Sequence, residues 1–202
     1  THMKKTETRI QKKNHSAIKS AGLKVFAQFG FRGSTLDQIA AESGLSKPNI
    51  LYYFSSKEAI YEALLAQLLT DWLQPVRDID PAGDPVEEIL KYAKHKLKMS
   101  RLYPRESRLY ATEIIQGAPR IKSVLTGELR DVVENLALLI NHWADSGLIR
   151  AVDPYHLIFS IWAMTQHYAD FEVQVKAILG ERDHFEDAEQ YLEDMLRRML
   201  TV

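Results

Sequence analysis

The chain has no cysteine among its 202 residues. That removes disulfides, thiolate nucleophiles and cysteine-ligated zinc together. Long apolar runs are missing as well: none approaches the roughly 18 uncharged residues of a membrane-spanning helix. With no leader-like segment before the first helix, a soluble cytoplasmic protein with no membrane partner is expected. Period-two alternation is lacking, and so is any internal repeat. Catalytic signatures are equally scarce. There is no H-E-x-x-H, no nucleophile elbow around Ser100 or Ser107, and no Gly-rich phosphate loop. His167 and Asp170 share an i, i+3 spacing but have no further ligand pattern beside them, so no metal, cofactor or catalytic residue is expected.

What is present is helix punctuation. Hydrophobic residues make up 46% of the chain, enough for a small head and one sizeable helical core. Between Thr35 and Ile60 the sequence reads TLDQIAAESGLSKPNILYYFSSKEAI. Thr35 and Gln38 have capping-box spacing, Gly44 supplies a left-handed helix end, and Ser46 caps again with Pro48 in the first turn. Two short helices joined by a tight turn are the signature of a helix-turn-helix, whose second helix enters a DNA major groove. Here that helix runs from Lys47 to about Phe54 and presents Ser46, Lys47 and Asn49 from its N-terminal end.

Charge is distributed unevenly. Residues 1–57 carry ten basic and three acidic side chains, a balance of +7, which leaves −8 for the rest of a chain of net charge −1. A basic head on an acidic body is the electrostatic footprint of phosphate binding by one end. Thr1-His2-Met3 reads as a tag remnant, and residues 4–13 as a basic arm before a helix capped by Asn14. A minor-groove contact and simple disorder are both open to such an arm. The first helix then runs to Phe29, with Ile18, Ala21, Val25, Phe26 and Phe29 on its inner face and Gly30 as terminator. Ser55 and Glu58 form a capping box for a longer helix through Trp72. Lys57 near its start opposes the helix dipole, so a phosphate contact explains it better than helix stability does.

Pro75 and the stretch 80–85 mark a break. Helices are then expected from Pro85 to about Arg101, Pro104 to Gln116, Pro119 to Ser146 with a kink near Gly127, Pro154 to Leu179, and Asp183 to Met199. The class is all-α, divided into residues 1–13 (tag remnant and arm), 14–56 (three-helix DNA-binding head) and 57–202 (effector-binding and dimerisation body).

Thr35, Ile39, Ala40, Gly44, Ser46, Phe54, Lys57 and Ile60 stand where the tetracycline-repressor (TetR) family carries its DNA-binding signature, over roughly residues 15–62. The sequence resembles that family, with two departures: Pro48 where the family usually has Gly, and Leu51 where it usually has Tyr. The string 49–54, together with Gly117-Ala118-Pro119 and 156–171, is similar to the pyrimidine-utilisation regulators of the family. The resemblance implies a TetR-like fold, a ligand-responsive regulator (most often a repressor), and a homodimer on a palindromic double-stranded operator. It also implies DNA contacts from Thr35, Ser46, Lys47, Asn49, Tyr52, Tyr53 and Lys57, and a small-molecule effector such as uracil or thymine.

The body offers two surfaces. The helix from Pro154 is apolar almost all round in its first half, so it is enclosed on several sides, either by its own chain or with the last helix in an intersubunit bundle. Trp162, Gln166 and Asp170 are spaced i, i+4, i+8 and are flanked by Phe159, Ala163 and His167. Aromatic walls with an amide, an imidazole and a carboxylate suit a small flat polar ligand, and the same pattern also describes an ordinary core. Trp72, Arg101, Tyr103, Arg108, Tyr110, Glu113 and Gln116 are further lining candidates. An effector-free architectural DNA-binding protein shares the head, so the motif alone leaves both readings open.

Overall fold

The computed structural model describes residues 8–202. The expected tag remnant (1–3) and residues 4–7 of the expected arm lie outside the described residues. Among the described residues every regular element is helical, and no helix is long and apolar enough to cross a membrane. The chain divides into two compact units, Thr1–Gln67 and Leu68–Val202, and the division falls within the fourth helix.

In the first unit, α1 (Arg9–Gly33) starts six residues earlier than expected, capped by Thr8 rather than Asn14. Thr8 and Gln11 form a reciprocal capping box, with Gln11 N–H donating to Thr8 Oγ1 and Thr8 N–H to Gln11 Oε1. Residues 9–13 are therefore helix rather than arm, and the amide of Asn14 donates to the Tyr53 hydroxyl instead of capping. Gly30 breaks the helix with φ +70°, a conformation open to glycine at little cost. Ile18, Ala21, Val25 and Phe26 are buried as expected, whereas Phe29 is 46% exposed, just off the inner face.

The helices α2 (Leu36–Ser43) and α3 (Lys47–Tyr53) begin at the Thr35 capping box and the Ser46 cap, with Gly44 left-handed between them. Ile39, Ile50 and Ile60 are fully buried with Ile18 and Phe26. Each such side chain contributes about 1.5–3 kcal/mol through removal from water. The helix α4 (Lys57–Arg77) is capped by Ser56, not Ser55: its hydroxyl accepts from Ala59 N–H at 3.1 Å. A methyl group on Gly22 would lie 2.9 Å from Ile60 Cγ2, so α1 and the start of α4 approach more closely than alanine allows. This packing is why the first turns of α4 belong to the head.

In the second unit, α4 continues past Pro75 to Arg77, so the expected break arrives slightly later. Next come α5 (Pro85–Leu102), α6 (Pro104–Ile115), the short α7 (Lys122–Val124), a π-helical turn (Leu125–Leu129) containing Gly127, and α8 (Arg130–Asp145). The expected helix 154–179 is two: α9 (Pro154–Asp170) and α10 (Glu172–Leu179), separated at Phe171. The interruption is supported by Arg108, whose guanidinium takes the Ala169 carbonyl at 3.0 Å. The last helix is α11 (Phe185–Leu200). The core of this unit is built around α5, packed on α9 and α11, with Trp143 of α8 buried and its indole N–H donated to Pro81 O.

Candidate DNA-binding and ligand-binding sites

On α3, Ile50 faces the head core while Lys47, Pro48, Leu51 and Tyr52 are exposed, the i, i+1, i+4, i+5 pattern of one helix face. Tyr52 is 72% exposed. The Ser46 and Thr35 hydroxyls cap α3 and α2, accepting from Asn49 N–H and Gln38 N–H. Lys47 pairs with Asp37 at 3.2 Å on the open surface, a weak contact that a phosphate can displace. Asn49 is half-buried, and Tyr53 is tied to α1 through Asn14. Leu51, absent from the expected set, shares the open face four residues after Lys47, and that spacing was its signal.

Lys57 has partners within the head. Its ammonium donates to the carbonyls of Phe31 and Ser34, each at 2.9 Å, and lies 4.4 Å from the centre of the Phe31 ring. It clamps the α1–α2 turn, a structural role that offsets the unfavourable end of the dipole.

The second unit contains a cavity walled by the indoles of Trp72 and Trp162 and the ring of Tyr110, with Tyr92, Lys96 and Gln166 as its polar groups. Leu69, Leu73 and Leu129 complete the lining. Trp72 meets Tyr110 edge-to-face at 5.0 Å, and the Trp162 indole donates to the Tyr92 hydroxyl at 2.9 Å. The free space is about 30 Å³, room for about one water. Burial pushes the Tyr92 and Tyr110 phenols up to about 12, opposed at Tyr92 by the Trp162 hydrogen bond, so both remain protonated donors. Burial also pulls the Lys96 ammonium down to about 8, against the opposing charge of Asp170.

Four of the expected ligand groups, Trp72, Tyr110, Trp162 and Gln166, therefore come together. Three do not. Glu113 is fully buried and accepts from the backbone N–H and guanidinium of Arg120, pinning the turn that holds Ala118 at φ +53°. Asp170 accepts the Ser107 hydroxyl. Burial raises its carboxyl, opposed by Ser107 and the charges of Lys96, Arg108 and His167. His167 is exposed, stacked on Phe171 at 5.0 Å, beside a groove facing α11. Of the remaining candidates, Arg101 pairs with Asp183, Arg108 with Glu172, and Tyr103, Gln116, Phe159 and Ala163 are exposed. Sequence reasoning missed Tyr92 and Lys96. The buried face of α5 runs 89, 92, 93, 96, 97, 100, and a lysine falling on that stripe was the available signal.

Comparison with known proteins fixes the family. Residues 18–64 match the model of bacterial regulatory proteins, tetR family, and residues 65–202 match that of the YcdC-like protein, C-terminal region. The HTH-type transcriptional regulator RutR of Escherichia coli O157:H7 is 49% identical over 164 residues, covering 81% of this chain and 77% of RutR.

The chain belongs to the TetR family.

It is a transcriptional regulator of the TetR type, and the family and relatives matched are regulators rather than enzymes. The TetR fold also relates it to AibR, solved in complex with isovaleryl coenzyme A and operator DNA, at a TM-score of 0.70 and 20% identity, covering 90% of this chain and 97% of AibR. Salmonella enterica GusR has a TM-score of 0.65 and 19% identity, with 95% and 97% covered. Among the described residues no cluster of three or more His, Asp or Glu side chains is arranged to hold a metal ion.

Proposed function

We propose that the chain is a homodimeric repressor acting on DNA in the cytoplasm and released by a small flat effector of the pyrimidine class, such as uracil or thymine. The observation that carries the effector reading is the cavity, aromatic-walled with polar groups that have bonding capacity to spare, in a chain 49% identical to RutR. Two α3 helices enter successive major grooves of a palindromic operator, about 34 Å apart. Lys47 and Asn49 contact phosphates and base edges, Leu51 lies against thymine methyl groups, and Ser46, Thr35, Tyr52 and Tyr53 position the helix.

The dimer reading is supported by two exposed rows. Tyr155, Phe159, Ala163 and His167 on α9 are spaced i, i+4, i+8, i+12, and Tyr191 and Met199 on α11 stand eight residues apart. Such rows are the knobs of a helix-bundle interface between copies.

A pyrimidine is larger than one water, so binding must part the cavity walls, including Leu69, Trp72 and Leu73 of α4. The first turns of that helix belong to the head. Parting the walls shifts α4 to a second pose, and a differential affinity of about 1.4 kcal/mol for that pose weakens operator binding tenfold. The test is thermal unfolding of the full chain against nucleobases and amino acids. A saturable rise in Tm with uracil or thymine is expected; a flat panel favours the effector-free architectural reading.

A further inference from the structure

The cavity contains one group that neither the core nor the fold requires. Lys96 is 5% exposed, and among the described residues its ammonium makes no hydrogen bond and no ion pair. Its contact is the face of Trp72, with Nζ 4.7 Å from a ring centre. Asp170, the carboxylate that partly compensates its charge, is occupied by Ser107. A buried ammonium without an anionic partner is costly, and the usual solution is a partner with negative or strongly electron-rich oxygen.

The other polar groups point to the same chemistry. Tyr92 accepts from Trp162 and keeps its own O–H proton, while the Tyr110 hydroxyl and the Gln166 amide have no hydrogen-bond partner among the described residues. Donors therefore outnumber free carbonyl acceptors: three N–H of Lys96, two phenols and the Gln166 NH₂ face one Gln166 carbonyl. A ring rich in oxygen acceptors with a single N–H edge satisfies this set. A ring in which an exocyclic amine replaces one carbonyl oxygen adds a donor where donors are already in excess and removes one of the oxygens open to the ammonium.

We infer that Lys96 sets the ligand class of this cavity, its ammonium donating to an electron-rich oxygen (imide, enolate or carboxylate) of a flat ring packed against Trp72 and Trp162. This rests on the reading of the cavity as the effector site. The imide face of uracil fits, and cytosine, with its amine, does not.

The test is calorimetric titration and thermal shift of the full chain and of Lys96→Met, which preserves length and removes charge. Uracil and cytosine form one matched pair of ligands, and benzoate and benzamidine a second. In the wild type, uracil binds and cytosine does not; in Lys96→Met, uracil weakens by about 10- to 100-fold, the loss of a charge-assisted hydrogen bond. Cytosine binding the wild type as tightly as uracil overturns the inference, and so does uracil binding Lys96→Met within about threefold of wild type. If no pyrimidine binds but benzoate does, in wild type only, the pyrimidine reading fails and the Lys96 assignment stands. A panel without any binder overturns both. The wild-type selectivity needs no variant, so misfolding of Lys96→Met would not protect the inference.

Discussion

A lysine held in an apolar wall leaves a signature in stability as well as in binding. The Lys96 ammonium titrates at about 8 in the folded chain against an ordinary value of 10.5. Between those values the unfolded chain holds a proton that the folded chain has released, so folding becomes more favourable as pH rises through this window. Below about pH 8 the full burial penalty applies, and by about 10.5 it has gone. At 1.36 kcal/mol per pKa unit the gap corresponds to about 3 kcal/mol at neutral pH. Loss of the contact with Trp72 returns about 1 kcal/mol of that. Lys96→Met should therefore be more stable than wild type by about 2 kcal/mol at pH 7, and the advantage should vanish towards pH 10. Urea unfolding at fixed protein concentration, followed by tryptophan fluorescence, measures this directly, since Trp72, Trp143 and Trp162 all lie in the second unit. A variant no more stable than wild type at pH 7, or one whose advantage is constant from pH 7 to 10, would refute the reasoning. Stability given up at one buried cation is the pattern of a residue kept for a ligand.

Other positions give independent checks. Lys47→Ala and Asn49→Ala should each weaken binding to a selected operator by about 1–3 kcal/mol if they read bases, measured by anisotropy at physiological salt; retention of affinity and selectivity by both would reject α3 as the reading helix. Gly22→Ala should lower stability by about 1–3 kcal/mol, because its methyl would press on Ile60 across the α1–α4 contact. Glu113→Gln should lose about 1.5–3 kcal/mol in thermal unfolding while leaving ligand affinity unchanged, since the carboxylate serves Arg120 rather than the cavity. Loss of ligand binding at unchanged stability would return Glu113 to the site. Gln166→Ala should abolish the effector response and preserve operator affinity.

The head was largely legible because its boundaries are written in local chemistry. The Thr35–Gln38 box, the Gly44 turn, the Ser46 cap and the Gly30 stop all act within a few residues, and all stand where they were read. The Thr8–Gln11 box was equally local and was overlooked because the surrounding charge reads as disorder. Lys57 shows the limit: its partners are the carbonyls of Phe31 and Ser34, more than twenty residues away, and no local rule reports them. In the body the helical periodicity was clear, but which polar group turns towards the cavity depends on how helices rotate against one another. Trp162 and Gln166 share the cavity, whereas Asp170, one turn further, sits where α9 ends and is taken by Ser107. The break at Phe171 was hidden for the same reason, since the Arg108 guanidinium that supports it comes from α6.

The central claim is that one chain joins an α3 surface that reads a duplex to a cavity that senses an acceptor-rich ring. The direct measurement is anisotropy of a fluorescent duplex selected from genomic fragments, titrated with the chain at physiological salt with and without saturating uracil. The account predicts one preferred palindromic site, with affinity falling by about tenfold or more over the concentration range in which uracil binds calorimetrically. Recovery of no preferred site, or of one whose affinity is unchanged while uracil occupies the protein, would contradict it.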